Sequence, residues 1–161
     1  MVRFAKILVP IDVERESTPI LDHAVALARA FGSRVALVHV FEREGYHGPS
    51  QIELDLAGHA QPATEVGHWP AAGRLAQLMG RVREAGVAEV RGLMVRGPAE
   101  DAVVDLARRE SYDLVVMGTH GYHGLSRMVL GSVAEKVVRN CPCPVLTVRV
   151  QFPATTEGAG G

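Results

Sequence analysis

"YDLVVMGTHGYHGLSRMVLGSVAEKVVRN", Tyr112–Asn140, decides how the rest of the chain reads. It opens on an apolar, β-favouring run, passes through a glycine-rich stretch and ends on a pattern with helical spacing. Four glycines (Gly118, Gly121, Gly124 and Gly131) lie in it, and no lysine occurs between Met117 and Lys136. A strand that feeds a helix through glycines is either a plain flexible loop or a cradle for phosphate. A cradle here would have to work without the lysine that phosphate loops usually carry.

The same strand-then-helix rhythm extends in both directions. A first strand is expected over residues 3–9 of "RFAKILVPID", followed by a helix over "STPILDHAVALARAFG". Ser17 or Thr18 would cap that helix, Pro19 would lie in its first turn and Gly32 would stop it. "SRVALVHVF" reads as a second strand and "AAGRLAQLMGRVREAG" as a second helix. "AEVRGLMVRG" reads as a third strand. "PAEDAVVDLARRES" reads as a third helix, with acids at its start and arginines at its end, as the helix dipole prefers. "YDLVVMG" is the fourth strand, "GSVAEKVVRN" begins the fourth helix and "CPVLTVRV" is the fifth strand. Runs such as "KILVP" and "DLVVMG" are apolar at successive positions, as strands covered on both faces must be. The alternation therefore predicts one α/β domain over residues 1–150, an open parallel five-stranded sheet with helices on both faces. The tail, 151–161, is small and polar and is expected to be disordered. Residues 42–70, "EREGYHGPSQIELDLAGHAQPATEVGHWP", break the rhythm; they are expected to form a mobile insert, with a short helix over "QIELDLAG".

Composition bounds the function. The 161 residues carry a net charge of −1 and are 47% hydrophobic, enough for a buried core with no basic excess for nucleic acid. Aromatics are 5%, too few for base-stacking platforms. No stretch approaches the roughly 20 apolar residues of a membrane span, and the apolar start is too short for a signal peptide. With two cysteines, Cys141 and Cys143, there is no disulfide framework, and the cytoplasm is the expected compartment. In "CPCP" the prolines are expected to shape the turn into the last strand, and no redox or metal role is assigned. His47, His59 and His68 are separated by eleven and eight residues of chain and read as solvated surface side chains. His39 reads as a core or edge histidine with a satisfied hydrogen bond.

Three phosphate signatures fail. The P-loop requires a glycine–lysine pair, and none occurs. The dinucleotide fingerprint requires three closely spaced glycines after the first strand. A receiver domain requires an acid pair, a further aspartate and a lysine; Asp12 stands alone, and "VRGP" and "VRVQ" follow the third and fifth strands. What remains is Gly118, Gly121 and Gly131–Ser132, spaced G-x2-G-x9-G-[ST]. Gly118 and Gly121 would let backbone approach phosphate and tolerate positive φ, and Gly131 and Ser132 would open a helix whose free N–H groups attract anions. Backbone amides, the Ser132 hydroxyl and Arg127 would replace the lysine. The plain-loop reading suits the glycines alone but not the full spacing between a strand and a helix.

This signature, with "ILVPID", "LVHV", "GPAEDAVVDLARRESYDLVVMGTHG" and "LGSVAEKVVRNCPCPVLTVR", resembles the ATP-binding branch of the universal stress protein family along nearly the whole chain. The resemblance implies a Rossmann-like sheet of order 3-2-1-4-5, with ligand at the switch point between the first and fourth strands. It implies ATP, with or without Mg2+, held by Pro10, Ile11, Asp12, Val40, Met117, Gly118, His120, Gly121, Arg127, Gly131, Ser132 and Val133. Asp12 would accept from ribose hydroxyls or the adenine amine, or else is a loop acid beside a helix. Met117 would pack on the base or simply fill core. His120 and His123 would donate to phosphate or stand by. It also implies a homodimer through the last strand (Val145, Leu146, Thr147 and Val148) and a nucleotide-dependent signalling role in stress response. Two alternatives remain: a slow ATPase or phosphoryl- or adenylyl-transfer enzyme using the same pocket, and a nucleotide-free interaction module. No catalytic base is identifiable from the sequence.

Overall fold

The computed structural model describes residues 1–119 and 130–150. β1 (Lys6–Pro10), α1 (Thr18–Phe31) and β2 (Arg34–Phe41) come first. β3 (Gln51–Leu54), β4 (Ala60–Gln61), a 3-10 turn (Glu65–His68) and α2 (Pro70–Glu84) follow. β5 (Val90–Arg96), α3 (Ala99–Arg109), β6 (Leu114–Gly118), α4 (Ser132–Asn140) and β7 (Val145–Val148) complete the order.

The sheet runs β4-β3-β5-β2-β1-β6-β7. Its parallel part, β5-β2-β1-β6-β7, has the expected order, but the sheet holds seven strands, not five. The extra two come from residues 42–70. Over "QIELDLAG", where a helix was expected, β3 pairs antiparallel with β5, and β4 pairs with β3. The alternation Gln51, Ile52, Glu53, Leu54 explains this: Ile52 and Leu54 are buried and Gln51 and Glu53 half-buried, a period of two that suits a strand. The hairpin covers the edge that β5 would otherwise expose. At its root Phe41, Tyr46 and Trp69 pack edge to face, with ring centroids 4.9–5.5 Å apart, and the Arg43 guanidinium lies over Trp69.

Successive strand residues face opposite layers. Ile7, Val9, Val35, Leu37, Met94 and Val116 pack with α1 and α2. Leu8, Ala36, Val38, Leu93, Val115 and Met117 pack with α3 and α4. That two-sided burial is why the strands read as unbroken apolar runs. On β5, Gly92 makes room for α2: a Cβ there would lie 2.2 Å from the Met79 sulfur, and Met79 is itself buried. α1 starts after Ser17, whose side chain makes no capping bond; instead the Glu16 carboxylate accepts from the Thr18 N–H at 2.7 Å. Gly32, in the left-handed conformation, ends it as expected.

Candidate functional site: a cleft at the strand ends

The parallel strands deliver the C-terminal ends of β1 and β6 side by side, with connections that leave toward opposite faces. A crevice opens where they diverge, which is where open α/β sheets bind ligands. It holds about 910 Å³ of space open to solvent. Pro10, Ile11 and Asp12 form one wall; Val38, His39 and Val40 form a second; Met117, Gly118 and Val133 close it. The first turns of three helices border it: Ser17 and Ile20 of α1, Ala99 and Val103 of α3, and Val133 and Ala134 of α4. Three positive dipole ends thus converge on one space and favour an anion there.

Asp12 is the polar centre. Its Oδ1 accepts from the Glu14 N–H at 3.1 Å, which turns the chain toward α1. Its Oδ2 is buried and has no hydrogen bond among the described residues; Arg15 Nε, at 3.6 Å, is an ion-pair neighbour beyond hydrogen-bond reach. A buried acceptor without a donor is costly unless something brings a donor. Beside it, the Ile11 N–H donates to the Val38 carbonyl at 2.9 Å, and His39 Nδ1 meets the Ile11 carbonyl at 3.3 Å. His39 is therefore the satisfied histidine the sequence suggests, and it also lines the cleft. Met117 is buried in the core, as one of its readings has it, and it also lines the cleft.

The glycine signature is only partly within view. α4 does begin at Ser132, and the Gly131 N–H donates to the Thr119 carbonyl at 2.7 Å, tying the helix start to the end of β6. Val133 lines the cleft, whereas Gly131 and Ser132 stand beside it at the helix cap. Gly118, where a positive φ would be tolerated, lies within β6 and has none, and Gly131 caps α4 at φ −59°. Gly118 is needed for close approach instead. A Cβ on it would sit 3.1 Å from Ile20 Cδ1, on the side chain that lines the floor. His120, Gly121 and Arg127, with His123 and Gly124, lie outside the described residues, as does the tail from 151.

Sequence reasoning missed Arg15, Ser17, Ile20, Ala99, Val103 and Val150. No local motif marks them; Ser17, Ile20, Ala99 and Val103 reach the cleft because helix starts converge there, Arg15 from the connection before α1 and Val150 from beyond the end of β7. α3 and α4 are joined near this end by Lys136 and Glu100 at 3.2 Å. Hydrogen bonds from its own backbone N–H and from Lys136 hold the Glu100 carboxyl below its ordinary range. Away from the cleft, burial and the hydrogen bond with Cys141 push the Cys143 thiol up to about 12, so it is no poised nucleophile. Among the described residues no three His, Cys, Asp or Glu side chains cluster as a metal site, and no helix is long and apolar enough to cross a membrane.

The residues fit an adenine nucleotide: apolar walls for a flat base, an unsatisfied acceptor for hydroxyl or amine donors, and helix starts for phosphate. Comparison with known proteins shows the family of the chain. A universal stress protein of Methanocaldococcus jannaschii is 32% identical over 91% of this chain and 82% of its own length. The universal stress protein UspA from Lactobacillus plantarum superposes with a TM-score of 0.71 at 24% identity, covering 92% of this chain and all of that one. A universal stress protein crystallised in complex with cAMP gives 0.67 at 21%, covering 93% of this chain and all of that one. The sequence model of the universal stress protein family matches residues 3–149, so the chain belongs to that family.

Proposed function

We propose that this protein binds an adenine nucleotide, ATP, in the cleft between β1 and β6 and acts as a nucleotide-dependent regulator in the cytoplasmic stress response. The observation that carries this reading is Asp12 Oδ2, a buried acceptor beside an apolar crevice that lacks a hydrogen bond among the described residues. A ribose hydroxyl or an exocyclic amine would satisfy it. Ile11, Val40 and Met117 would hold the base by apolar contact, with Pro10 shaping the β1 end. Val133 and the first N–H groups of α4 would receive phosphate, with the Ser132 hydroxyl, His120, Gly121 and Arg127 as the further contacts implied by the signature. Mg2+, if it accompanies ATP, would lie among the phosphate oxygens, as it does when it is bound mainly through substrate. A solved relative in complex with cAMP supports an adenine nucleotide as the ligand.

Equilibrium titration of ATP into the purified protein, beside Asp12→Ala and Gly131→Ala, tests the reading. Saturable binding weakened by both changes is expected. No binding at millimolar ATP, or binding indifferent to both changes, would contradict it.

The same reading includes a homodimer through β7. Among the described residues that strand pairs only with β6, and its Val145, Leu146 and Thr147 are half-buried. A two-fold copy of β7 would cover them and satisfy the free edge. Truncation after Pro144 should convert the dimer to monomers or aggregates; an unchanged dimer by light scattering would refute this interface.

A further inference from the structure

Cys141 and Cys143 lie at the opposite side of α4 from the cleft, where the helix hands over to β7. The Cys141 N–H closes the helix on the Val137 carbonyl at 2.9 Å. Pro142 and Pro144 alternate with the two thiols, and a proline fixes φ near −65°, so the two Cβ positions are held by backbone that has little freedom. Both cysteines are free and half-buried, packed against the apolar cluster beneath α3 and α4. Their sulfurs stand 3.6 Å apart, one donating a hydrogen bond to the other.

That separation is far from the roughly 2.05 Å of a disulfide. It is close to the spacing of two thiolates on one metal ion. Two sulfurs at about 2.3 Å from a tetrahedral ion lie about 3.8 Å from each other. An ion bonded to both would sit to one side of the line between the sulfurs, displacing the thiol protons.

We propose that Cys141 and Cys143 form a two-thiolate clamp for a soft, thiophilic metal ion at the α4–β7 junction. Uptake breaks two S–H bonds, forms two metal–sulfur bonds and releases two protons, with no change of oxidation state. Thiolate ligands select ions such as Zn2+ or Cu+ over the hard cations Mg2+ and Ca2+. Among the described residues no third His, Cys, Asp or Glu completes the set, so the remaining positions on the ion stay open to water or to a competing ligand. An open, two-point site exchanges its ion, unlike the closed four-ligand sites that hold structural zinc. The clamp also borders β7, so occupancy would stiffen the entry to the strand proposed to pair two copies.

Cd2+ serves as the probe, because sulfur ligation gives a thiolate-to-metal absorption band that histidine ligation does not. It is titrated into freshly reduced protein under argon, with proton release followed in weak buffer. One Cd2+ per chain is expected, with the sulfur band, two protons released and displacement by Zn2+ but not by Mg2+. Cys141→Ser and Cys143→Ser should each abolish the band while keeping the wild-type melting temperature. A band retained in either variant, one ion per two chains, or uptake without proton release would overturn the proposal. Absence of any sulfur band at excess Cd2+ would overturn it equally. Should a serine variant fold poorly, the stoichiometry and proton release of the wild-type chain decide the matter alone.

Discussion

At the scale of single residues, the cleft holds the Asp12 Oδ2 acceptor, unsatisfied among the described residues, and a strand glycine, Gly118, that leaves room for Ile20. Asp12→Asn retains the Oδ1 acceptor that turns the chain at Glu14 and replaces only the orphaned oxygen. A hydrogen bond to a charged group contributes about 1.5–3 kcal/mol. The affinity for ATP should therefore fall about 10- to 100-fold, while the melting temperature of the unliganded protein stays within a few degrees of wild type. Calorimetric titration and thermal unfolding on the same samples check both halves; a loss of affinity matched by a loss of fold would remove Asp12 from the site. Gly118→Ala presses a methyl group onto Ile20 at 3.1 Å. Overpacking of this kind costs about 1–3 kcal/mol, and since Ile20 lines the cleft, ATP binding should weaken with it. Unaltered stability and affinity would show that Ile20 yields freely. Asp12, Val40 and Met117, which line the cleft, were legible through the family resemblance, because each follows or lies near the end of an apolar strand that the resemblance aligns. The reason for Gly118 was not, since a strand residue's need for space depends on α1, which lies about a hundred positions upstream in the chain.

At the scale of elements, the least legible part was the segment 42–70. Its glycines, prolines and histidines mask a four-residue strand whose partner, β5, comes only after α2. A pairing between residues some forty positions apart leaves no local signal beyond the alternation of Ile52 and Leu54. Once formed, the hairpin is held by polar contacts as well as burial. Arg91 on β5 hydrogen-bonds Glu53 of β3 and, at 3.0 Å, Glu110 at the end of α3. Tyr112 donates to the same Glu110 carboxylate at 3.1 Å, and Gln51 to its other oxygen at 3.3 Å. Burial alone would raise the Glu110 pKa, but the bonds from Gln51, Arg91 and Tyr112 outweigh it and hold the carboxyl below its ordinary 4.5. A carboxyl depressed in the folded state contributes stability that is present above its unfolded pKa and lost as pH falls through the folded value. Denaturation of the wild type should thus show a carboxylate-linked loss below about pH 4.5 that Arg91→Ala diminishes. At neutral pH, Arg91→Ala should cost about 1 kcal/mol, small because the guanidinium is partly exposed. That corresponds to a melting temperature lower by about 2–4 °C; no change in either property would strip the network of a stabilising role. Amide exchange offers a second check on the hairpin. Residues 51–54 should exchange more slowly than 42–50, whereas equally fast exchange would return the segment to the mobile insert its composition suggests.

At the scale of the whole molecule, the alternation of parallel strands and helices was legible because each helix carries its own start and stop signals and each strand is apolar on both faces, whereas the order β5-β2-β1-β6-β7 was legible only through the family resemblance. The cleft follows from that order without further instruction: β1 and β6 are neighbours whose chain continuations separate, and α1, α3 and α4 all begin at that end. The opposite end of the same strands offers a natural control. There Arg3, Arg29 and Arg34 surround the C-terminal turns of α1 and α2, whose carbonyl ends favour cations rather than phosphate. An anion attracted merely by charge would go to those arginines; a nucleotide recognised by the cleft would not. Amide chemical-shift mapping during an ATP titration separates the two directly. The account predicts saturable shifts at Ile11, Asp12, Val40, Gly118, Ser132 and Val133, with Arg3, Arg29 and Arg34 silent. Shifts confined to those arginines, or none at millimolar ATP, would contradict it.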